Sequence, residues 1–321
     1  MCSLEKILSE STELKKGGGT RRFFRNDFEG VPAVFCFYDT EKEENAYYAG
    51  IARFLKKIGV PAPAVLLDLP EKKLFVMEDL GDTDLWTLQR ENSADFLPAY
   101  RSALCGLACL HTQGIKNLPP DFPMMRDGFN RAYYQWERDY FLKNAVENGL
   151  KIPLSASEKT ALEEELSDLA ETLLALPPQL VHRDCQSQNI LWKDGNAVFI
   201  DFQGMRVGTG WYDVASLLFD PYTEISPEAR KSLLQFYCQK IGVPADRTAE
   251  ENLFRAAAQR LMQALGAYFF LSAKMGKPHF RQHAFPALKN LVTVTAGTLP
   301  LLHGLAEQML AREKSLMLPN S

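Results

Sequence analysis

The hydrophobic and polar positions of the first 80 residues alternate in short runs, with one helical pattern among them. Period-two runs predict strands at 23–27, 33–38, 65–69 and 72–77. Apolar residues recur at helical spacing over 41–58, and Pro61 and Pro63 end that helix and force an extended chain. This part of the chain is therefore expected to form a small mixed sheet with one helix.

Beyond this part, long amphipathic helical patterns dominate. They cover 93–113, 129–147, 157–176, 227–241, 249–275 and 300–314. Ser226 followed by Pro227 is a typical helix start. The pattern predicts an α+β chain with a small sheet-plus-helix lobe at 1–78, a hinge linker at 79–85 and a larger, mainly helical lobe at 86–321. A ligand is expected in the cleft between two such lobes.

Composition excludes several classes of protein. With 321 residues, 46% hydrophobic and 24% charged, the chain is expected to fold as an ordinary soluble protein. A net charge of −4 argues against nucleic acid as a partner. No stretch reaches eighteen apolar residues and the first sixteen lack the apolar core of a signal peptide, so a cytoplasmic protein without a membrane partner is expected.

The most specific chemistry lies in HRDCQSQN at 182–189 and VFIDF at 198–202. Two apolar runs joined by an Asp-Gly turn predict a hairpin that brings Asn189 and Asp201 to one edge. Their oxygen atoms suit Mg²⁺ beside substrate phosphates, and Asp184 would orient a hydroxyl and take its proton. This set predicts a phosphotransferase that uses ATP and Mg²⁺. His182 is expected to be structural, because Asp184 already supplies the base.

Two segments of the small lobe fit a nucleotide. Glycines precede the first predicted strand, where backbone N–H groups can approach phosphates, and Arg21, Arg22 and Arg25 follow. A flexible linker and a solvated basic edge remain the alternatives. The run LFVMEDLG at 74–81 is an apolar strand entering an acidic linker, where Met77 could wall an adenine base and the backbone could bond its edge.

At these residues the chain resembles the aminoglycoside phosphotransferase and choline kinase group, which has a protein-kinase-like fold. The resemblance covers about two thirds of the chain, and HxDxxxxN with a later Asp is its most specific part. Within the group the chain is most similar to bacterial anomeric kinases that phosphorylate N-acetylmuramate and N-acetylglucosamine in cell-wall recycling. The segments that carry this similarity are GGTRRFFR, EDLGDT, DCQSQN, IDFQG and YDVASLL.

The resemblance assigns roles by position. It implies that Asp184 is the base, that Asn189 and Asp201 bind magnesium, and that Asp213 is a structural acid that braces the catalytic loop. The phosphate loop would consist of Gly18, Gly19 and Thr20, and the adenine linker of Glu78, Asp79 and Leu80.

One departure from the group concerns a lysine. Kinases of this fold carry a lysine on the third strand, whereas AVFCFY at 33–38 has none. Arg22 or Arg25 is the expected substitute, with Glu43 or Glu44 as its acidic partner.

Substrate contacts are expected from the helical lobe. Glu137, in the run WERDY at 136–140, could accept sugar hydroxyls, although an ordinary helix with a core Trp136 explains the same run. Gln186 and Gln203 could read an N-acetyl group or a ring hydroxyl. The alternatives left open are an aminoglycoside, choline, homoserine or methylthioribose kinase, and a pseudokinase that binds nucleotide without turnover.

Overall fold

The computed structural model describes residues 11–14, 21–120, 122 and 128–317. Its internal contacts divide the chain into two units. The first consists of residues 1–126 and 188–205, and the second of residues 127–187 and 206–321. The predicted lobe boundary at 79–85 is a different division, and it stays a prediction.

The first unit is organised around a five-stranded antiparallel sheet. Its strands are β1 (Thr12–Leu14), β2 (Arg22–Phe28), β3 (Val31–Phe37), β4 (Val65–Leu69) and β5 (Leu74–Glu78), in the order β1-β2-β3-β5-β4. Phe24, Phe35 and Val76 belong to the buried apolar cluster of this sheet. The four predicted strands are therefore confirmed, and the short β1 was not predicted.

Three helices and a hairpin complete the first unit. They are α1 (Tyr48–Lys57), preceded by a 3₁₀ turn, α2 (Leu85–Arg90), α3 (Phe96–Gln113), and the strands β7 (Ile190–Lys193) and β8 (Asn196–Phe199). A Cβ at Gly106 of α3 would lie 2.4 Å from Cε2 of Phe199, so glycine is required there for the hairpin to pack on the helix.

The second unit is built around one long helix. Its elements are α4 (Arg131–Phe141), continued by a π-helical segment (Leu142–Leu150), α5 (Ala156–Leu174), α6 (Trp211–Leu218), α7 (Pro227–Ile241), α8 (Arg247–Lys274), α9 (Ala284–Thr295) and α10 (Pro300–Met317). The strands β6 (Gln179–Val181) and β9 (Arg206–Gly208) pair antiparallel. Helix α8 contacts α4, α6 and α9. The predicted helical part is therefore confirmed.

Candidate active site

The hairpin β7–β8 brings the two predicted magnesium ligands together. Asp194 and Gly195 have φ angles of 51° and 76°, the conformation of a two-residue turn with both central residues left-handed. The strands pair from Ile190 with Phe199 onward, and the Ile200 N–H donates to the Asn189 carbonyl at 2.9 Å. Asn189 and Asp201 therefore leave the two ends of the hairpin at one edge, as predicted.

Asp201 is held by two side chains of the first unit. The Arg21 guanidinium forms an ion pair with Oδ1 of Asp201 and donates to Oε1 of Gln203 at 2.9 Å. The Gln203 amide in turn donates to Oδ1 of Asp201 at 2.8 Å. Burial lowers the pKa of Arg21, but the charge and hydrogen bond of Asp201, together with smaller effects of Cys36 and Tyr48, leave it above its ordinary value, so the arginine stays charged.

Gln203 therefore does not contact substrate as predicted. The side chain is buried, and its oxygen and nitrogen atoms are engaged by Arg21 and Asp201. The residue lies within the 3₁₀ turn Phe202–Gly204, which begins directly after Asp201, and Asp201 has a left-handed φ of 64°. Gln203 orients Asp201 instead of reading a sugar.

The basic residue beside Asp201 is also not one of those predicted. Arg22 is exposed and pairs with Glu13 at 3.0 Å. Arg25 pairs with Asp79 at 2.7 Å and with Asp82 at 2.8 Å. The cation that the structure places beside Asp201 is therefore Arg21, and its acidic partner is Asp201 and not Glu43 or Glu44. Which residue takes the role of the strand lysine stays a prediction.

An aromatic stack supports the segment that follows Asp201. Phe202 is fully buried and stacks on Tyr48 with ring centroids 4.4 Å apart, and Tyr48 stacks on Phe75 at 4.5 Å. The Tyr48 hydroxyl donates to the sulfur of Met77 at 3.4 Å. Helix α1 and strand β5 thus fix the backbone that carries Asp201.

A cavity of the first unit coincides with the predicted adenine segment. Its walls are mainly apolar and include Val34, Met77, Leu80, Leu191 and Ile200, and Glu78, Asp79 and Arg25 also line it. A largely apolar cavity with a few polar groups at its border is typical of a small-molecule site.

The backbone beside this cavity is partly engaged already. The N–H groups of Glu78 and Asp79 donate to the carbonyls of Ala64 and Pro32 at 2.9 and 3.1 Å. The carbonyl of Asp79 accepts from the Lys193 ammonium at 2.6 Å. These three groups hold the linker in place. The predicted phosphate loop of Gly18, Gly19 and Thr20 lies outside the described residues.

Asp184 belongs to the second unit, in the loop after β6. Its Oδ1 accepts from Nη2 of Arg260 at 3.0 Å, and 44% of its side chain is exposed against 10% for Arg260. Gln186, the remaining predicted substrate contact, donates its backbone N–H to the Asp184 carbonyl at 3.0 Å and is half-buried. The role of Asp184 and its convergence with Asn189 and Asp201 stay predictions.

Two buried acids fix the loop that carries Asp184. Asp213 accepts from the backbone N–H groups of His182 and Arg183 at 2.6 and 2.8 Å. Asp220 accepts from the N–H of Ser187 at 2.6 Å, and burial raises the pKa of Asp220. His182 is buried with its backbone held by Asp213, and both residues thus have the structural placement that was expected.

Glu137 is a second substrate assignment that the structure corrects. Its side chain is 1% exposed, and its carboxylate accepts from the Tyr212 hydroxyl and from Gln259, both at 2.9 Å. A sugar hydroxyl therefore has no open path to it. The neighbouring Trp136 is 50% exposed, so it is not the core residue of the alternative interpretation.

The sequence pattern names Arg21 only as one of three arginines, and it does not single out Arg260 or Asp220, which bond to Asp184 and to the loop that carries it. Arg260 lies 76 positions from Asp184, and nothing in the local pattern of α8 separates it from the other charged positions of that helix. Arg21 was available in the sequence, but strand alternation alone does not decide which arginine reaches Asp201.

Two other features are absent from the part of the chain that the structure describes. No described helix has the length and apolarity needed to cross a bilayer. Within the same residues there is no group of three or more His, Cys, Asp or Glu side chains placed to hold a metal ion.

Comparison with known proteins agrees with this arrangement. The family model described as the phosphotransferase enzyme family matches residues 10–251. A curated N-acetylmuramate/N-acetylglucosamine kinase of Caulobacter vibrioides is 28% identical over 246 residues, which is 73% of this chain and 66% of that protein.

Solved structures show the same fold at low sequence identity. A choline/ethanolamine kinase family protein from Mesorhizobium loti superposes with a TM-score of 0.63 at 16% identity, covering 92% of each chain. A thermostable aminoglycoside phosphotransferase in complex with AMP-PNP and hygromycin B has a TM-score of 0.60 at 17% identity, covering 92% of this chain and all of that one. The protein-kinase-like fold is thus confirmed, and the chain belongs to the phosphotransferase enzyme family.

Proposed function

We propose that this protein is an ATP-dependent kinase that phosphorylates the anomeric hydroxyl of an amino sugar such as N-acetylmuramate or N-acetylglucosamine. The observation that carries the proposal is the placement of Asn189 and Asp201 at the two ends of one hairpin, with Arg21 and Gln203 bonded to Asp201. The name of the Caulobacter relative supports the class of acceptor. A cytoplasmic location and participation in cell-wall recycling belong to the same proposal.

The adenine base would occupy the apolar cavity lined by Val34, Met77 and Leu191. The Glu78 and Asp79 N–H groups already have backbone partners. We therefore assign the bonds to the base to the Glu78 carbonyl and the Leu80 N–H. The side chain of Arg25, tied to Asp79 and Asp82, would close the border of the cavity.

The donor set fits a magnesium ion. Asn189 offers a carboxamide oxygen and Asp201 a carboxylate, and hard cations take such oxygen ligands. Asn189 and Asp201 would hold the ion, and when bound it neutralises charge on the phosphates of ATP. Arg21 adds a fixed positive charge on the protein side of Asp201.

The proposed transfer requires one proton acceptor. Asp184 would accept the proton of the sugar hydroxyl as the O–H bond breaks, while the sugar oxygen bonds to the γ-phosphorus of ATP. The bond from that phosphorus to the β–γ bridging oxygen breaks, and ADP leaves with the electron pair. The Asp213 carboxylate, through His182 and Arg183, would keep the Asp184 loop in one conformation.

A coupled assay of ADP release tests the proposal. The acceptors to compare are N-acetylglucosamine, N-acetylmuramate, glucosamine, kanamycin, choline, homoserine and methylthioribose. We expect the first two to give the highest kcat/KM. Preference for kanamycin or choline would reassign the acceptor, and failure of every acceptor would reject the kinase assignment.

A nucleotide-binding module without turnover is the second candidate. It is favoured by strand β3, whose seven residues VPAVFCF include no lysine. Binding of ATP without ADP release on any acceptor would support it. Arg21 beside Asp201 favours the enzyme, because it supplies the cation that β3 lacks.

A further inference from the structure

Arg260 reaches Asp184 from the middle of α8. Each guanidinium nitrogen has one acceptor: Nε donates to the Ser216 hydroxyl at 2.9 Å, Nη1 to the Gln263 carbonyl oxygen, and Nη2 to Oδ1 of Asp184 at 3.0 Å. Hydrogen bonds from all three nitrogen atoms thus fix the plane of the guanidinium group. All these residues belong to the second unit.

The arginine is charged despite its burial. Burial lowers the pKa of Arg260, but electrostatic interaction with neighbouring groups, first Tyr212 and then Asp184, raises it above its ordinary value. The side chain of Asp184 is 44% exposed and that of Arg260 only 10%. The guanidinium therefore contacts the carboxylate from its buried side, while the carboxylate keeps surface toward solvent.

We propose that Arg260 is a positioning residue for phosphoryl transfer, which holds the Asp184 carboxylate in the orientation that receives the acceptor proton. The inference rests on the proposed function. Small displacements of a reacting group can cost about 100-fold in rate. Lysine cannot replace Arg260, because a single ammonium group cannot reproduce three bonds in one plane.

A purely structural role makes a different prediction. Removal of one partner from a buried ion pair leaves an uncompensated charge and destabilises the fold. Asp184, however, has enough exposed surface to be hydrated when Arg260 is absent. A positioning role therefore lowers kcat in a protein that is still folded and still binds ATP, whereas a structural role lowers stability and leaves kcat per folded molecule unchanged.

The test compares Arg260→Met, Arg260→Lys and Ser216→Ala with Arg255→Met as the matched control. Arg255 lies on the same helix and pairs with Glu251. Each variant is assayed with MgATP and the best acceptor of the wild type. We expect kcat to fall roughly 100-fold for Arg260→Met and by a smaller factor for Arg260→Lys, which should keep only part of the wild-type kcat. The KM for ATP of both variants should stay within about threefold of the wild-type value.

Ser216→Ala keeps the charge of Arg260 and removes one bond that orients it, so a smaller loss of kcat is expected in a variant that folds. Arg260→Ala provides a second readout, because added guanidinium should restore part of its kcat. In the Asp184→Asn background, Arg260→Met should lower kcat by no more than about twofold further, because both substitutions act through the side chain at position 184.

The outcomes separate the two proposals. A wild type without sugar-dependent turnover rejects the proposed function. An active wild type whose Arg260→Met variant keeps normal kcat overturns the role of Arg260, as does full additivity with Asp184→Asn. If Arg260→Met does not fold, normal kcat in Ser216→Ala together with absence of guanidinium rescue in Arg260→Ala overturns it equally.

Discussion

Arg21 forms an ion pair with Asp201, and the two residues are joined a second time through Gln203. Arg21 stands immediately before β2, whereas the lysine it replaces would belong to β3. A guanidinium also donates in a fixed plane, which allows it to hold Asp201 and Gln203 together. The chain thus supplies a cation at Asp201 from the residue that precedes β2.

Replacement of Arg21 by alanine is expected to lower kcat/KM by about 100- to 1,000-fold, the usual cost of removing one preorganised electrostatic group. The matched control is Arg22→Ala, because Arg22 is the next residue and pairs with Glu13 on the surface. Steady-state kinetics with varied ATP measures both. Equal effects of the two substitutions would contradict the assignment of Arg21.

The buried Asp213 is expected to be essential for the stability of the catalytic loop. Asp213→Asn offers one oxygen to two backbone donors, so the free energy of unfolding should fall by about 1.5–3 kcal/mol.

The control for Asp213 is Asp246→Asn. Asp246 caps α8 through a bond to the Ala249 N–H, and asparagine caps a helix about as well as aspartate. Urea denaturation measures both variants. If Asp246→Asn lowers the free energy of unfolding as much as Asp213→Asn does, the change from aspartate to asparagine causes the effect and the loop contacts of Asp213 do not.

The lowered pKa of His283 predicts that the stability of the fold depends on pH. Burial, and to a lesser degree the charge of His279, lowers the pKa of His283 to about 4 from its ordinary value of 6.5. Between these values the unfolded chain binds a proton that the folded chain does not, so the free energy of unfolding falls as the pH decreases through this window.

Through this linkage, His283 should change the free energy of unfolding by about 1–3 kcal/mol across the window. His283→Gln should remove it and flatten the stability curve between pH 6.5 and about 4. Denaturation curves of both proteins at several pH values provide the comparison. A variant curve parallel to that of the wild type over this window would rule out the effect.

Removal of divalent cations should abolish turnover. With EDTA, ADP release should stop and should return on addition of excess Mg²⁺. Asn189→Ala should raise the magnesium concentration for half-maximal rate, because one oxygen ligand is lost. An unchanged magnesium requirement in this variant would show that Asn189 does not bind the ion.

Local signals made much of this fold predictable. The hairpin at 190–199 follows from an Asp-Gly turn between two apolar runs, and helix α7 begins at Pro227 after a Ser226 cap, as predicted. The pairing of β6 with β9 was not predicted, because each strand has three residues and they lie far apart in sequence. Short strands that pair over long distances carry little local pattern.

Side-chain partners explain the errors at the candidate site. Gln203 and Glu137 were predicted to contact the substrate because of their positions in the sequence, but each is buried and bonded within the fold. Arg260 comes from a distant helix, and only the folded chain brings it to Asp184. Residue types and spacing predicted the groups that we propose to bind the metal and to accept the proton, whereas the side chains bonded to those groups depend on tertiary packing.

The central claim is that this chain transfers the γ-phosphoryl group of ATP to an anomeric hydroxyl with Asp184 as the base. Phosphorus NMR of the product formed from ATP and N-acetylglucosamine tests it most directly, with Asp184→Asn run in parallel. The account predicts a sugar phosphate signal coupled to the anomeric proton for the wild type and almost none for the variant. A signal coupled to another sugar proton, or the same product at the same rate from Asp184→Asn, would contradict it.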